Sequence, residues 1–434
     1  MNSPNISKGT VPAKSAGENS RQNRNFFLLI FYLVFQRIGW IFKTESIIMP
    51  AVLDFVGGAG WLRGCLPLLN RFGQSIPPLL LSDRIKHSRL KTRWLLVTTG
   101  FMATCFFVLA IVFAWEPAGS AWMPFFFLAM YGLFFCSLGV NQLLLNTTTG
   151  KLVRFDLRGR MSLIGTVIGA SVAVSAAWIL LNWWLPDSTK SEGADPNFSA
   201  IFAVTGAGFL VAATAVFFLQ EEHDHVEGKT RKLGQLFRSS IQIIKLDSNF
   251  RKLAIIAALF GMYLLIFPHY QRLARDRLNL SLSSLVPWVI AQNLGAAFFS
   301  IPGGWIADRL GNRLVLKLAM FLLCLAPITS LVIVHFDIGG WYGFTFVFWL
   351  LGLTPITIRF FNYYTLEICE NSEHPRYLST LNLAISIPPI FLGPVAGALV
   401  DQISFEAVFG FVIVTTMVGW ILTFQLEEPR IKRD

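Results

Sequence analysis

Residues 36–50 read QRIGWIFKTESIIMP and place three ionisable side chains, Arg37, Lys43 and Glu45, inside the first long apolar stretch of the chain. An ionisable group in hydrocarbon costs roughly 3 kcal/mol, so such groups usually face a protein interior or a cavity where they have a function. Arginine can hold a carboxylate or a phosphate through two parallel hydrogen bonds. A buried carboxylate can take up and release a proton. The stretch therefore predicts a site for an anion, for a proton, or for both.

The polar residues of this stretch share one side of a helix. At roughly 100° per residue, they fall within an arc of about 120°, with Glu45 beside it: Gln36, Arg37, Trp40, Lys43 and Thr44. This stripe predicts that one face of the helix lines a cavity.

Other apolar stretches carry polar groups too: Arg63, Asn70, Arg71 and Gln74 in the second; Asn141, Gln142 and Asn146 in the fourth; His269 and Arg272 at the end of the seventh; Gln292 and Asn293 in the eighth; Arg359 and Asn362 in the tenth. Five basic groups thus face one clearly intramembrane acid, Glu45. A cavity with such an excess of positive charge attracts anions. Alternatively these charges are structural, with Arg63 reaching the outer interface and Glu45 pairing with Arg71 or Lys43.

The composition indicates a membrane protein with many spans. Of the 434 residues, 54% are hydrophobic and 14% charged, and the mean hydropathy is +0.57, whereas a soluble domain has about 25% charged residues. Apolar runs long enough to cross a bilayer predict an all-α protein with twelve transmembrane helices. They lie at about 26–52, 61–82, 94–115, 120–150, 160–184, 199–220, 250–270, 283–307, 314–335, 339–366, 376–400 and 403–426.

Basic residues orient these spans. Of the 36 Lys and Arg residues, 27 lie in the termini and in the loops on the same side, whereas the opposite loops hold Lys190, Arg272, Arg275 and Arg277. The positive-inside rule then predicts that both termini are cytoplasmic, in a bacterial-type inner membrane. The net charge of +11 follows from this topology, so no nucleic-acid partner is expected.

A long polar break divides the chain into six spans plus six. The predicted organisation is a disordered cytoplasmic tail at 1–25, a helical bundle at 26–220, a linker at 221–249, a second bundle at 250–426 and a tail at 427–434. In the linker, helical spacing predicts an amphipathic helix at the membrane surface, carried by Leu233, Leu236, Phe237, Ile241 and Ile244.

The two halves contain related segments at the ends of their second spans. Residues 301–313 read IPGGWIADRLGNR and residues 76–89 read IPPLLLSDRIKHSR. At a constant offset, Pro302, Asp308 and Arg309 match the following three residues: Pro77, Asp83 and Arg84. An Asp-Arg pair there can cap a neighbouring helix, and glycine allows two backbones to approach.

These residues resemble the signature loop of the major facilitator superfamily, which the second copy carries as Gly304, Asp308, Arg309, Gly311 and Arg313. The first copy has Leu79 and Lys86 where the glycines would stand. Two other segments resemble the family's junctions between helices 4 and 5 and between helices 10 and 11, with Arg158, Gly159 and Arg160 in one and Glu367 and Arg376 in the other.

The resemblance implies two pseudo-symmetric six-helix bundles around a central cavity, which rock to expose the cavity to alternate sides of the membrane. Helices 1, 4, 7 and 10 would line it. The expected cytoplasmic gate consists of Asp83, Arg84, Gly304, Asp308, Arg309, Gly311 and Arg313; the alternative is a static salt bridge that orders the loop. We expect a monomer in the bilayer.

These patterns together predict a secondary transporter for a small organic anion. The expected substrate-binding residues are Arg37, Trp40, Lys43, Arg71, Asn141, Asn146, Gln292, Asn293, Arg359 and Asn362. Glu45 and His269 are the candidates for proton coupling, and exchange of one anion for another is the alternative.

Three other functions are less well supported. A proton-coupled drug or sugar exporter of the same superfamily is possible, but span 5 lacks the Gly-Pro motif of drug antiporters. Gly393, Pro394 and Gly397 resemble that motif in span 11, where close helix packing is the expected role. A non-transporting membrane sensor is a further alternative. The sequence contains no convincing nucleophile–base arrangement, metal motif or phosphate loop, so we expect no enzyme, cofactor or metal.

Overall fold

The structure is a computed structural model that describes residues 16–116, 120–185, 195–223, 241–370 and 373–429. Its first half contains α1 (Ala16–Phe42), α2 (Ile48–Phe55), α3 (Gly60–Lys86), α4 (Lys91–Trp115), α5 (Met123–Leu152), α6 (Phe155–Trp184) and α7 (Phe198–Phe217). Its second half contains α8 (Ser248–Tyr263), α9 (Tyr270–Leu278), α10 (Leu285–Leu310), α11 (Asn312–Phe336), α12 (Gly340–Leu351), α13 (Leu353–Ile368), α14 (His374–Gln402) and α15 (Phe405–Leu422).

Twelve spans follow from these helices, as the sequence predicts. Span 1 is α1 plus α2, span 7 is α8 plus α9, span 10 is α12 plus α13, and each other span is one helix in chain order. Eleven of the spans are long and apolar enough to cross a membrane. The remaining one, α3, is equally long but carries Arg63, Asn70, Arg71 and Gln74, so its polar side chains need a protein or cavity environment.

Span 1 is interrupted between Phe42 and Ile48, inside the stretch that the sequence predicts to be one helix over 26–52. The polar stripe is therefore regular only as far as Phe42. The carbonyl oxygen of Thr44 accepts hydrogen bonds from three backbone amides, those of residues 47, 48 and 49. The break thus satisfies its backbone groups locally, which a membrane interior requires.

Spans 7 and 10 are interrupted as well. A 3₁₀ segment, Leu264–His269, joins α8 to α9 and contains Pro268, which cannot donate a backbone hydrogen bond. In span 10, α12 ends at Leu351, and a Cβ added to the next residue, Gly352, would collide with the backbone of span 8 at Gln292 and Gly295. Close backbone contact between spans 8 and 10 therefore depends on this glycine.

The halves pack together chiefly through two pairs of helices, span 2 on span 11 and span 5 on span 8, and spans 1 and 2 also contact span 7. In the first pair, a Cβ added to Gly64 would collide with the carbonyl of Gly393, and one added to Gly397 would collide with the carbonyl of Gly60. Small residues four apart allow this close backbone approach. The predicted packing role of Gly393 and Gly397 is confirmed.

At the end of the bundle that carries the termini, here called the terminal end, polar contacts hold each half together. In the first half, Glu221 accepts hydrogen bonds from Lys151 Nζ (2.8 Å) and from the backbone amide of Thr92 (2.7 Å). Burial alone would raise the pKa of Glu221, but these hydrogen bonds outweigh it and hold the pKa below its ordinary value. In the second half, Asn312 donates to Glu367 (2.8 Å).

The predicted linker helix falls partly outside the described residues. Residues 241–246, which include Ile241 and Ile244, are helical. Leu233, Leu236 and Phe237 lie outside the part of the chain that the structure describes. The amphipathic helix and the domain boundaries remain predictions.

We expect Gly64→Ala to lower the melting temperature in detergent, because the new methyl group forces α3 away from Gly393 at a cost of about 1–3 kcal/mol. Gly100→Ala is the matched control, since an added Cβ there meets open space, and the change should be neutral or stabilising by about 1 kcal/mol. Equal melting temperatures for the two variants would contradict the glycine contact.

Candidate functional site

A cavity of about 250 Å³ lies between the two halves. It is lined from six spans: Arg37, Trp40, Ile41, Lys43, Thr44 and Glu45 of span 1; Pro67, Asn70, Arg71 and Gln74 of span 2; Gln142 of span 4; Leu264 and Phe267 of span 7; Gln292, Asn293 and Ala296 of span 8; and Gly352, Thr354, Pro355 and Ile358 of span 10. The interrupted spans 1, 7 and 10 therefore all contribute to it.

The break in span 1 turns Lys43 back toward its own helix. Its ammonium nitrogen lies 3.6 Å from the centre of the Trp40 ring and 4.6 Å from that of Phe135. The side chain is only 1% exposed. Its Nζ donates to Oε1 of Glu45 at 3.1 Å. Aromatic faces and one carboxylate thus surround this cation, a stabilising environment for a buried ammonium.

Glu45 is held by a short chain of amides. Asn70 donates to its second carboxylate oxygen, and Gln74 donates to Asn70. The sequence left open whether Glu45 pairs with Lys43 or with Arg71, and in the structure its ion pair is with Lys43. Lys43 and Glu45 therefore neutralise each other within the cavity lining.

Arg37 connects the two halves across the cavity. Its Nη2 donates to Oδ1 of Asn293 at 3.0 Å. Its Nε is buried and finds no hydrogen-bond partner among the described residues. The positive charge of Arg359, from span 10, acts on this guanidinium. Arg37 therefore meets an amide and a second cation, and no acid in the described part of the chain forms an ion pair with it.

Arg71 also lines the cavity, and none of the described acids forms an ion pair with it. Among the described residues, its guanidinium has no hydrogen bond, and its nearest opposite charge is Glu45, which attracts it electrostatically. Glu45 is already paired with Lys43. The guanidinium of Arg71 is thus available to a ligand, and it can present two parallel donors to a carboxylate or phosphate.

The lining contributed by the second half has no ionisable residue. Its polar groups are Gln292, Asn293 and Thr354, and the rest is apolar. Gln292 accepts from Ser46 of the first half (2.7 Å). Gln292 and Asn293 thus both contact the first half.

Several predicted residues lie outside this lining. Asn141 is buried among span 3 and span 1, where it donates to Thr98 and Thr99 and accepts from Tyr32. Asn146 is exposed. Asn362 is half-buried on α13, and its Oδ1 has no partner among the described residues. Arg359 is exposed, close to Arg37.

His269 is completely buried at the end of the 3₁₀ segment of span 7 and does not line the cavity. Neither ring nitrogen has a hydrogen-bond partner among the described residues. Its place in the fold is thus separate from that of Glu45, the other candidate for proton coupling.

A second charged cluster closes the end of the bundle opposite the termini, here called the far end. Arg63 donates to Asp54 of its own half (2.5 Å) and to Asp401 of the other half (2.9 Å). Asp54 also accepts from Gln271 at 2.7 Å, and Asp401 accepts from the backbone amide of Gly60 at 2.5 Å. Hydrogen bonds between the halves therefore reinforce the glycine contact at this end.

This cluster corrects the charge count made from the sequence. The predicted first and eleventh spans end at residues 52 and 400, which places Asp54 and Asp401 in loops. Both acids neutralise Arg63, and Glu45 neutralises Lys43. Of the five basic groups predicted within the spans, Arg37, Arg71 and Arg359 keep uncompensated charges near the cavity.

Two features of the site were not predicted from the sequence: the break in span 1 and the apolar part of the cavity lining. Only the break had a signal in the sequence. Pro50 cannot donate the hydrogen bond that a continuous helix would make to residue 46, so it marked a possible break. The apolar lining residues Leu264, Phe267, Pro355 and Ile358 had no signal, because apolar residues face lipid, core and cavity alike.

The predicted cytoplasmic gate lies at the terminal end. Gly311 separates α10 from α11 with φ of +91°, which explains its glycine. An added Cβ at Gly304 would meet open space among the described residues, so this conformation has no close backbone approach at this glycine. Arg309 stacks on Trp305 (4.5 Å), and Arg313 donates to the carbonyl of Phe424 (3.1 Å).

The first copy of the motif is less well defined. Arg84 is exposed near the end of α3. The side chain of Asp83 lies outside the part of the chain that the structure describes. Asp308 has an interaction partner of its own. The gate roles of these residues remain predictions.

The family model described as "Major Facilitator Superfamily" matches residues 160–366 and 288–434. These ranges contain the better-kept copy of the motif, at 304–313, whereas the weaker copy around Asp83 precedes them. Among curated proteins, none matches the chain in sequence.

Solved transporter structures share the fold at low sequence identity. A variant of the nucleoside transporter NupG superposes with a TM-score of 0.71 at 10% identity, covering 93% of this chain and 100% of that one. The peptide transporter POT, solved with sulfate, gives 0.67 at 12% identity, with 96% and 99% covered. A bacterial homologue of the human lysosomal transporter Spinster, in an inward-facing and unoccupied conformation, gives 0.60 at 12% identity, with 96% and 99% covered.

We expect Arg63→Gln to destabilise the protein by about 3–5 kcal/mol, because it leaves the buried Asp54 carboxylate without its main counter-charge. Arg277→Gln is the control: its ion pair with Glu406 joins two side chains that are nearly half exposed, and its loss should cost at most about 1 kcal/mol. Thermal unfolding in detergent, followed by tryptophan fluorescence, compares the two. An equal loss in both variants would contradict the assigned role of the far-end cluster.

Proposed function

The chain belongs to the major facilitator superfamily, and on this basis we propose that it is a secondary transporter that moves a small organic anion across the membrane by alternating access. The observation that carries this proposal is the uncompensated positive charge at the central cavity, from Arg37 and Arg71 with Arg359 beside them. Low-dielectric surroundings strengthen the attraction of an anion to such groups. Trp40 offers an aromatic face to the apolar part of the solute.

The proposed substrate-binding residues fall into two groups. Arg37, Trp40, Lys43, Arg71, Gln292 and Asn293 line the cavity. Arg37 and Arg71 bind the anionic group, whereas Lys43 acts mainly through its pair with Glu45. Arg359 joins when the halves close around the solute. Asn141, Asn146 and Asn362 would contribute only if another conformation brought them to the cavity.

The distribution of basic residues supports a cytoplasmic location for the terminal end, in an inner membrane. With that orientation, the far end, where Arg63 meets Asp401 and glycines pack together, faces outward. Its contacts between the halves support an inward-facing state for this structure. Transport would then require these contacts to separate while the motif loops at the terminal end come together.

Coupling to protons is proposed at Glu45. Protonation of this carboxylate would release Lys43 and remove the attraction on Arg71, which favours binding of a substrate anion. His269, buried without a hydrogen-bond partner among the described residues, is the second candidate. Anion exchange without protons is the alternative, and a pH gradient in the uptake experiment distinguishes the two.

We expect Arg71→Gln to reduce uptake of organic anions into proteoliposomes by at least about tenfold, because a charge-assisted hydrogen bond to a ligand contributes roughly 1.5–3 kcal/mol. Arg71→Lys should retain part of the activity, and Arg277→Gln, exposed at the far end, should retain all of it. If Arg71→Gln took up organic anions at the wild-type rate, the proposed role of Arg71 in binding the anionic group would be wrong. Transport of cationic dyes in place of anions would favour the drug-exporter alternative.

We expect Asp308→Asn to slow transport strongly while membrane insertion stays normal, because Asp308 belongs to the proposed gate at the terminal end. Glu406→Gln, at an exposed ion pair of the far end, is the control and should transport normally. Uptake rates, normalised to the amount of reconstituted protein, provide the comparison. A normal rate for Asp308→Asn would leave the loop-ordering salt bridge as its role.

A further inference from the structure

The two halves line the cavity with different chemistry. Every ionisable lining residue, namely Arg37, Lys43, Glu45 and Arg71, comes from the first half. We call this part of the lining the charged wall. The second half contributes what we call the apolar wall, formed by Leu264, Phe267, Ala296, Pro355 and Ile358. A bound solute therefore meets charge on one side and hydrocarbon on the other.

Three side chains of the described second-half lining can form hydrogen bonds, namely Gln292, Asn293 and Thr354, and the first two already bond to other protein groups. Asn293 accepts from Arg37 (3.0 Å) and donates to the carbonyl of Val289 (2.8 Å), so both ends of its amide are used. Gln292 accepts from Ser46. The hydroxyl of Thr354 is buried beside Tyr263. This side of the cavity consequently offers few hydrogen bonds to the hydroxyls of a sugar or a polyol.

The charged wall offers two guanidinium groups to an acidic group of a ligand. Lys43 and Glu45 neutralise each other, and Asn70 is bound to Glu45. Arg71 has no hydrogen-bond partner among the described residues, and Arg37 keeps a buried Nε without one. These guanidinium groups suit one compact acidic group at one end of a ligand.

We propose that the substrate is an amphiphilic organic acid, with a carboxylate held at the charged wall and an aryl or branched-alkyl body packed on the apolar wall. This inference rests on the proposed function and specifies its substrate class. Removing the body from water at Phe267 and Ile358 stabilises binding. A polyhydroxylated anion would lose its hydration there without replacement hydrogen bonds, which disfavours it.

The test uses the full chain, purified in detergent and in proteoliposomes, with chosen probe compounds. Phenylacetate, cinnamate and isovalerate are amphiphilic acids, phenylacetamide is a neutral analogue, and tartrate and glucose phosphate are hydrophilic anions. We expect the amphiphilic acids to raise the melting temperature and to be taken up. The amide and the hydrophilic anions should need at least about tenfold higher concentrations for the same shift.

Two variants test the apolar wall itself. Phe267→Ala and Ile358→Ala should each weaken phenylacetate binding by about tenfold, because each removes apolar contact from the ligand body. Phe391→Ala is the matched control, since that ring is 72% exposed on the surface of span 11, and its phenylacetate affinity should equal that of the wild type. Melting temperatures without ligand verify that each variant is folded.

The outcomes separate this inference from the proposed function. Preferred uptake of tartrate or glucose phosphate, or unchanged phenylacetate affinity in both folded wall variants, overturns the amphiphilic-acid inference and leaves an anion transporter. Equal binding of phenylacetamide and phenylacetate overturns the anionic substrate as well. Failure of all three amphiphilic acids to bind also overturns the inference.

Discussion

The interruption of span 1 between Phe42 and Ile48 is the constraint on which the cavity depends. A helix that ends inside a membrane leaves backbone groups that must find partners within the protein. Here the Thr44 carbonyl accepts three backbone amides, and the Thr44 hydroxyl donates to Ile41. Because the chain leaves the helix at this point, Lys43 folds back over Trp40 and Glu45 meets Asn70 of span 2. A continuous helix would not bring Lys43 and Glu45, two residues apart, to one side.

The positive charge of the cavity comes from those buried cations that do not form ion pairs with acids of the described chain. Buried ion pairs in the chain are compensated locally, Lys43 by Glu45 and Arg63 by Asp54 and Asp401. The attraction between the two charges of a buried pair offsets the cost of removing them from water only when the geometry of the pair is good. Within the described ranges, Arg37 and Arg71 have no acid of this kind, so an anion entering the cavity is attracted without displacing a protein carboxylate. Under the proposed function, selectivity for an anion thus resides in these two side chains.

Much of the fold could be predicted because hydropathy and loop charges report directly on the membrane. The polar residues Arg37, Trp40, Lys43, Arg71, Gln292 and Asn293 were identifiable for the same reason, since polar groups in apolar spans are exceptional. The pairing of Arg63 with Asp401 was not predictable, because 338 positions separate the two residues. The apolar wall was not predictable either. The sequence around Phe267 does not distinguish it from other phenylalanines in the spans, because only packing decides whether the ring faces lipid, core or solute.

The far-end cluster combines an ion pair within one half with an ion pair between the two halves. Arg63 and Asp54 belong to the same half, whereas Asp401 belongs to the other. If the halves separate at this end, Arg63 loses Asp401 and keeps Asp54, so no buried cation is left unpaired. Asp401 is already 42% exposed, and water can replace its lost partners. The large penalty for breaking a buried ion pair is thereby avoided during separation, while the glycine contact between α3 and α14 still holds the closed state together. Such an arrangement suits an interface that must be tight in one state and open in another.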